Sequence, residues 1–184
     1  PCLAATAVLA ITENRRPVAG SNGSFSACST DGPVDLFDEL GGTPDPGGVW
    51  TAPGGGAHSG IFLPGSNASG VYTYTVAGTA PCTDATASVA ATVNLAPNAG
   101  SNAVVSVCAD GADVNLFAVL GGNPDNGGAW TDDDATGQLT GALFDPSGLA
   151  AGNYDFTYTV DGNGQCGDDH ATVRVTIVAA LDAG

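Results

Sequence analysis

Two copies of one pattern fill most of this chain, and that repetition constrains the fold more than any single motif. The first copy runs from Cys28 through LFDELGGTPDPGGVWT and YTYTV to Cys82. The second runs from Cys108 through LFAVLGGNPDNGGAWT and FTYTV to Cys166. Residues 17–54 and 97–134 agree at 19 of 38 positions without a gap. The offset is 80 residues at the tryptophan and 84 at the second cysteine. A period of this size predicts a string of like domains, built for reach or repeated binding rather than for one catalytic centre.

The expected organisation has two repeats, residues 17–96 and 97–180, with partial copies on either side. Cys2, Cys82 and Cys166 are each followed 17 residues later by an Ala-Gly pair. Residues 1–16 therefore read as the last strand of a preceding repeat, and residues 181–184 as the start of a following one. The competing reading makes residues 1–13 a strand donated to a neighbouring subunit in a fibre. Pro17 and Pro97 mark short joints between repeats, which predicts a stiff, extended arrangement.

Alternation with a period of two appears where each repeat closes. Tyr72, Tyr74 and Val76 share one face, as do Tyr154, Phe156, Tyr158 and Val160. The last strand alternates longest, with Ala85, Ala87, Val89, Ala91, Val93 and Leu95 inward in the first copy. The second copy places Ala171, Val173, Val175 and Ile177 the same way. This is the signature of half-buried antiparallel strands. Earlier segments near 23–28, 34–37, 48–51 and 60–63 are shorter. Six or seven short strands per repeat, with frequent turns, predict tandem immunoglobulin-like antiparallel β-sandwich domains. The Leu36-Phe37 stretch is either one helical turn or a bent strand.

Net charge is −16, lysine is absent, and the 19 carboxylates are spread unevenly. Residues 17–96 carry −6 and residues 97–180 carry −10. Nucleic-acid binding is disfavoured, because phosphate contacts require clustered Lys and Arg. Docking on anionic lipid is disfavoured for the same reason, and no apolar run is long enough to span a membrane.

The five cysteines fall into two classes by position. Cys28 and Cys108 are equivalent, and so are Cys2, Cys82 and Cys166. Pairing within each repeat gives Cys28–Cys82 and Cys108–Cys166, one disulfide per domain, and leaves Cys2 over. Each bridge would be worth about 4 kcal/mol in the chain-entropy description. Free buried thiols or a metal site are the alternatives. Disulfides imply an oxidising, extracellular setting.

Candidate binding residues are few. Trp50 and Trp130 recur after a Gly-Gly pair, as sugar-stacking platforms or as core side chains packed on a disulfide. Asp132, Asp133 and Asp134 begin a segment like a calcium loop, without the bidentate Glu that completes one. The first copy has Ala52-Pro53-Gly54 there. A Ca2+ site is thus conceivable in the second repeat only, and no other cofactor is indicated. Asp45 and Asp125 recur in PDPGG and PDNGG, where turn formation explains them. Arg15 and Arg16 sit at the first joint, where they could clamp acidic groups of adjacent domains or stay solvated. GNGQCG at 162–167 matches a dinucleotide-binding fingerprint but lies in a hairpin turn, not between a strand and a helix. No Ser-His-Asp arrangement is suggested.

The strings CSTDGPVDLFDELGGTPDPGGVWT and GVYTYTVAGTAPCTDATASVAATV, with their second copies, resemble repeats of large secreted cell-surface proteins of the Bacteroidetes. These are tandem immunoglobulin-like proteins of the gliding-motility adhesin type. The resemblance covers nearly the whole chain. It implies export to the cell surface and a role as stalk, adhesin or filament, and it implies no catalytic residues. The expectation is a structural, non-catalytic segment of a long extracellular adhesin or filament, with adjacent copies of the same repeat or subunit as partners. The alternative is a module, repeated along a surface protein, that binds a surface glycan or a cation.

Overall fold

The structure, a computed structural model, describes residues 6–179. Cys2 and residues 181–184 lie outside the described residues. The chain divides into two compact units, one up to Val93 and one from Asn94 onward. Each is all-β.

The first unit contains β1 (Gly23–Cys28), β2 (Val34–Asp35), β3 (Val49–Thr51), β4 (Ala57–His58), β5 (Ile61–Phe62), β6 (Gly70–Val76) and β7 (Ala85–Asn94). One sheet has the order β1-β7-β6-β3-β4, and β2 pairs with β5 in a second. The long hairpin β6–β7 runs in antiparallel register from Gly70↔Ala91 to Val76↔Ala85. This register points the alternating face of both strands inward, so that Tyr72, Tyr74, Ala87, Val89 and Ala91 are buried. Phe62 of β5 meets Tyr72 edge-on at 5.3 Å between ring centroids, which joins the two sheets through the core.

The second unit repeats the plan with β8 (Ala103–Cys108), β9 (Val114–Asn115), α1 (Leu116–Val119), β10 (Ala129–Asp132), β11 (Leu139–Thr140), β12 (Leu143–Phe144), β13 (Gly152–Val160) and β14 (Asp169–Val178). Its sheets have the orders β10-β13-β14-β8 and β11-β12-β9. Phe144 packs on Phe156 at 4.7 Å, where the first unit has Phe62 on Tyr72. The two cores correspond position by position: Ala19 with Ala99, Leu36 with Leu116, Leu40 with Leu120, Tyr74 with Tyr158, Val89 with Val173.

The Leu36/Leu116 segment is a single turn. In the second unit it is helical, capped by Asn115, whose side chain accepts from Phe117 N and Ala118 N. In the first unit Asp35 Oδ1 accepts from Phe37 N at 2.9 Å, and the same four positions form a hydrogen-bonded turn instead. An Asx side chain here satisfies backbone donors that the tight bend leaves unpaired. The bend drops Leu36 and Leu116 into the core, both with no exposed surface.

One strand pairing departs from the antiparallel expectation. β8 runs parallel to β14, in register from Ala103↔Val173 to Cys108↔Val178. Cys108 thus lies level with the end of β14, while Cys166 precedes its start. The separation is about 30 Å over nine strand steps, far beyond the ~7 Å between Cα atoms that a disulfide spans. In the first unit Asn22 Oδ1 accepts from Ser88 N at 2.9 Å, so β1 also starts beside the start of β7. Asn102 and Thr172 N make the same bond at 2.8 Å in the second.

Candidate functional site

The most complete recurring constellation joins an entry segment, a turn and a tyrosine. Tyr74 Oη donates to the carbonyl of Asp45 at 2.7 Å and accepts from Gly48 N at 2.8 Å. Tyr158 repeats both bonds, to Asp125 O at 2.7 Å and from Gly128 N at 2.8 Å. The Asp45 carboxylate accepts from Val18 N at 2.9 Å, and Asp45 N donates to Val18 O at 2.7 Å. Asp125 does the same with Asn98, at 2.9 and 2.7 Å. The recurring aspartate therefore does more than form its turn. It ties the first residues of each repeat to the PDxGG loop, and the tyrosine hydroxyl locks that loop onto the sheet.

Trp50 and Trp130 belong to the same assembly. Trp50 is 7 % exposed and lies 5.0 Å from the Tyr74 ring, tilted by 39°. Trp130 is half-buried and lies 5.1 Å from the Tyr158 ring, tilted by 38°. Phe37 and Phe117 close on the tyrosines edge-on at 5.5 and 5.4 Å. The burial of Trp50 removes it as a sugar-stacking platform. Its packing partner is the tyrosine, not a disulfide.

The cysteines correct the expected pairing. Cys28 and Cys166 are disulfide-bonded, whereas Cys82 and Cys108 are free thiols. The bridges Cys28–Cys82 and Cys108–Cys166 are therefore not formed. The parallel register of β8 on β14 gives the reason, since it sends the two cysteines of a repeat to opposite ends of its long strand.

The acidic triplet does not converge on a common point. Asp132 Oδ2 accepts from Thr136 Oγ1 and Gly137 N, both at 2.9 Å. Asp133 Oδ2 accepts from Thr157 Oγ1 at 2.7 Å, and Asp134 Oδ2 from Asp155 N at 2.7 Å. Asp132 Oδ1 is buried without a hydrogen-bond partner. Burial pushes the Asp132 carboxyl upward, but the bonds from Thr136, Gly137 and Asp134 outweigh it and hold the group below its ordinary range. Among the described residues no three His, Cys, Asp or Glu side chains are grouped to hold a metal ion.

Arg174 grips Asp155 in a bidentate pair at 2.8 and 2.7 Å, across the β13–β14 register. This contact holds the Asp155 carboxyl below its ordinary value. The pair borders an open cleft of ≈ 500 Å³, also lined by Asn102, Ala103, Val104 and Thr172. The matching cross-strand pair in the first unit is Val71↔Ala90, which removes both charges. The cleft's chemistry is therefore not shared between repeats. At the first joint Arg15 pairs with Asp45 at 2.8 Å, largely in solvent. Leu95 stands at its counterpart, exposed rather than on the inward face that its alternation predicted, because β7 ends at Asn94. The histidines serve local structure: His58 Nδ1 accepts from Gly60 N at 3.1 Å, and His170 Nδ1 lies 2.9 Å from Thr159 Oγ1.

The chain is similar to solved structures. The insect immune protein hemolin aligns over 92% of this chain and 48% of its own, with TM-score 0.56 and 16% identity. The fold is immunoglobulin-like. The titin fragment I67–I69 aligns over 92% of this chain and 65% of its own, with TM-score 0.44 and 15% identity. The chain thus spans about half the length of hemolin and two thirds of the titin fragment. Hemolin's structure is described as a domain arrangement with implications for homophilic adhesion. A scan against models of protein families finds no match, and neither does a search of curated proteins.

Within this immunoglobulin-like frame, the tyrosine–aspartate clamp is the feature that residue patterns alone did not assign. The signal was present, because TYTV and PDxGG recur together at nearly the same offset. Only the fold shows that these two strings meet. No helix among the described residues is long and apolar enough to cross a membrane.

Proposed function

We propose that this chain is a structural, non-catalytic segment of a long extracellular adhesin or filament. Its repeats would serve as load-bearing or spacing elements, in the manner of the tandem repeats in secreted Bacteroidetes surface proteins. The observation that carries this reading is the use of the recurring Trp, Tyr and Asp side chains for internal construction. Trp50 and Trp130 pack on Tyr74 and Tyr158, and Asp45 and Asp125 bind backbone amides. What differs between the repeats, namely Asp132 to Asp134 and the Asp155–Arg174 pair, is what a repeated binding site would have to share.

An oxidising setting outside the cell agrees with the bonded state of Cys28 and Cys166. The acidic, lysine-free surface suits a solvated array whose copies repel non-specific association. The natural partners are further copies of the same repeat.

Antibody labelling of intact and permeabilised source cells tests the location. Strong labelling of intact cells, along extended surface structures, is expected. Labelling seen only after permeabilisation contradicts the reading. Titration of the purified chain with Ca2+ and a glycan array separates the alternative module. Saturable binding that depends on Asp132 or Trp130 would favour it, and the structural reading expects none.

A further inference from the structure

Each repeat carries one cysteine at either end of its long final strand. One class ends the strand beside it, as Cys108 does level with Val178. The other class sits in the hairpin before the final strand, as Cys82 and Cys166 do. In residues 17–96 the only cysteines are Cys28 and Cys82, and in residues 97–180 they are Cys108 and Cys166. One member of each repeat is oxidised and the other is a free thiol. Neither oxidised cysteine, then, is bonded to the other cysteine of its own repeat.

The two free thiols are one of each class, and each occupies the frame in which its counterpart is bonded. Cys166 Sγ lies 3.3 Å from Asn94 O, and Cys82 Sγ lies 3.5 Å from Asn14 O. Backbone turns after the strand-end cysteines also match, with Asp31 N on Cys28 O at 3.0 Å and Gly111 N on Cys108 O at 2.9 Å. Burial separates the bonded from the free. Cys28 is 4 % exposed and Cys166 8 %, whereas Cys108 is exposed and Cys82 half-buried. The same backbone position is thus more shielded where it is oxidised than where it is reduced.

We propose that Cys108 forms an intermolecular disulfide with Cys82 of a second copy of this chain. Strand-end cysteine meets hairpin cysteine, so the contact is heterologous and propagates into a linear chain rather than closing a dimer. The chemistry is thiol–disulfide exchange with a small-molecule disulfide. The Cys82 thiolate attacks the oxidant, releasing one small thiol and forming a mixed disulfide. The Cys108 thiolate then displaces the second small thiol. Two protein thiols lose two electrons and two protons, and one oxidant molecule becomes two thiols. The proposal extends the array reading, but its failure would leave the surface location and the non-catalytic role untouched.

The test uses the whole chain carrying Cys2→Ser, incubated with oxidised glutathione, alkylated, and run on a non-reducing gel. The expected result is a ladder of covalent multimers that collapses to monomer on reduction. Cys82→Ser and Cys108→Ser, each added singly, should remain monomeric. Mixing the two should give dimers and nothing larger, because one supplies only the strand-end thiol and the other only the hairpin thiol. Thermal melts matching the parent confirm that the variants are folded. Monomer alone after oxidation, with Cys82 and Cys108 still alkylated, overturns the proposal. So do dimers from either single variant on its own, since these require pairing within one class.

Discussion

The hydroxyl of Tyr74 donates to the carbonyl of Asp45 across 2.7 Å and takes the amide of Gly48 at 2.8 Å. One side chain on β6 thereby satisfies two backbone groups of a loop that has no strand partner of its own. Tyr158 does the same for the loop before β10. Replacing either hydroxyl by hydrogen leaves a donor and an acceptor unpaired in a half-buried place. Tyr74→Phe and Tyr158→Phe should each cost about 1–3 kcal/mol. Urea denaturation followed by tryptophan fluorescence measures this directly, and near-neutral variants would show that the clamp carries no stability.

The glycines beside that clamp are there for space. A Cβ on Gly48 would lie 2.5 Å from Thr75 O and 2.6 Å from the Tyr74 ring. On Gly128 it would lie 2.3 Å from Thr159 O and 2.7 Å from the Tyr158 ring. The backbone carbonyl cannot swing aside, so the strand must shift. Gly48→Ala and Gly128→Ala should destabilise by about 1–3 kcal/mol through overpacking. Gly47→Ala is not a fair control, because Gly47 has φ +87°, but Gly56→Ala is, since nothing lies near its Cβ. Calorimetry comparing Gly48→Ala with Gly56→Ala should find the loss only in the former.

Acid sensitivity should appear in the second repeat through Asp155. Its hydrogen bonds to Arg174 hold the folded carboxyl below the ordinary value of 3.8. The folded state therefore binds this proton less readily than the unfolded chain does. The contribution is fully present above the unfolded value and is lost as pH falls through the lower folded one. Arg174→Ala should lower the melting temperature at neutral pH, by a margin that shrinks as pH drops below about 4. A margin that stays constant down to pH 2 would mean that the ion pair is not its source.

Much of the fold was legible because burial writes itself into alternation. Tyr72, Tyr74, Val89, Val173 and Ile177 were placed inward by period alone, and they are buried. The Leu36-Phe37 stretch reads as either one helical turn or a bent strand, and it is a turn, but the pattern did not show that the turn drops Leu36 and Leu116 into the core. Alternation is blind to direction, however. A strand reads the same whether its neighbour runs with it or against it, so the parallel pairing of β8 with β14 left no trace in the pattern. That pairing decides where Cys108 ends up, and hence why equal spacing sorted the cysteines into classes but gave the wrong mates, Cys28–Cys82 and Cys108–Cys166. The tyrosine–aspartate clamp escaped for a related reason. Its members lie 29 and 33 residues apart and meet only because a loop folds back over the sheet. Asp132 to Asp134 looked alike in sequence, yet each serves a different local donor once folded.

The central claim is that the two cysteines of a repeat stand at opposite ends of its long strand and never bond to each other. Alkylation of the native chain before proteolysis, followed by mass spectrometry of unreduced peptides, tests it most directly. The account predicts protected Cys28 and Cys166, Cys82 and Cys108 either alkylated or linked to each other between copies, and no peptide linking Cys28 to Cys82 or Cys108 to Cys166. Recovery of either of those linked peptides as the main species would contradict it.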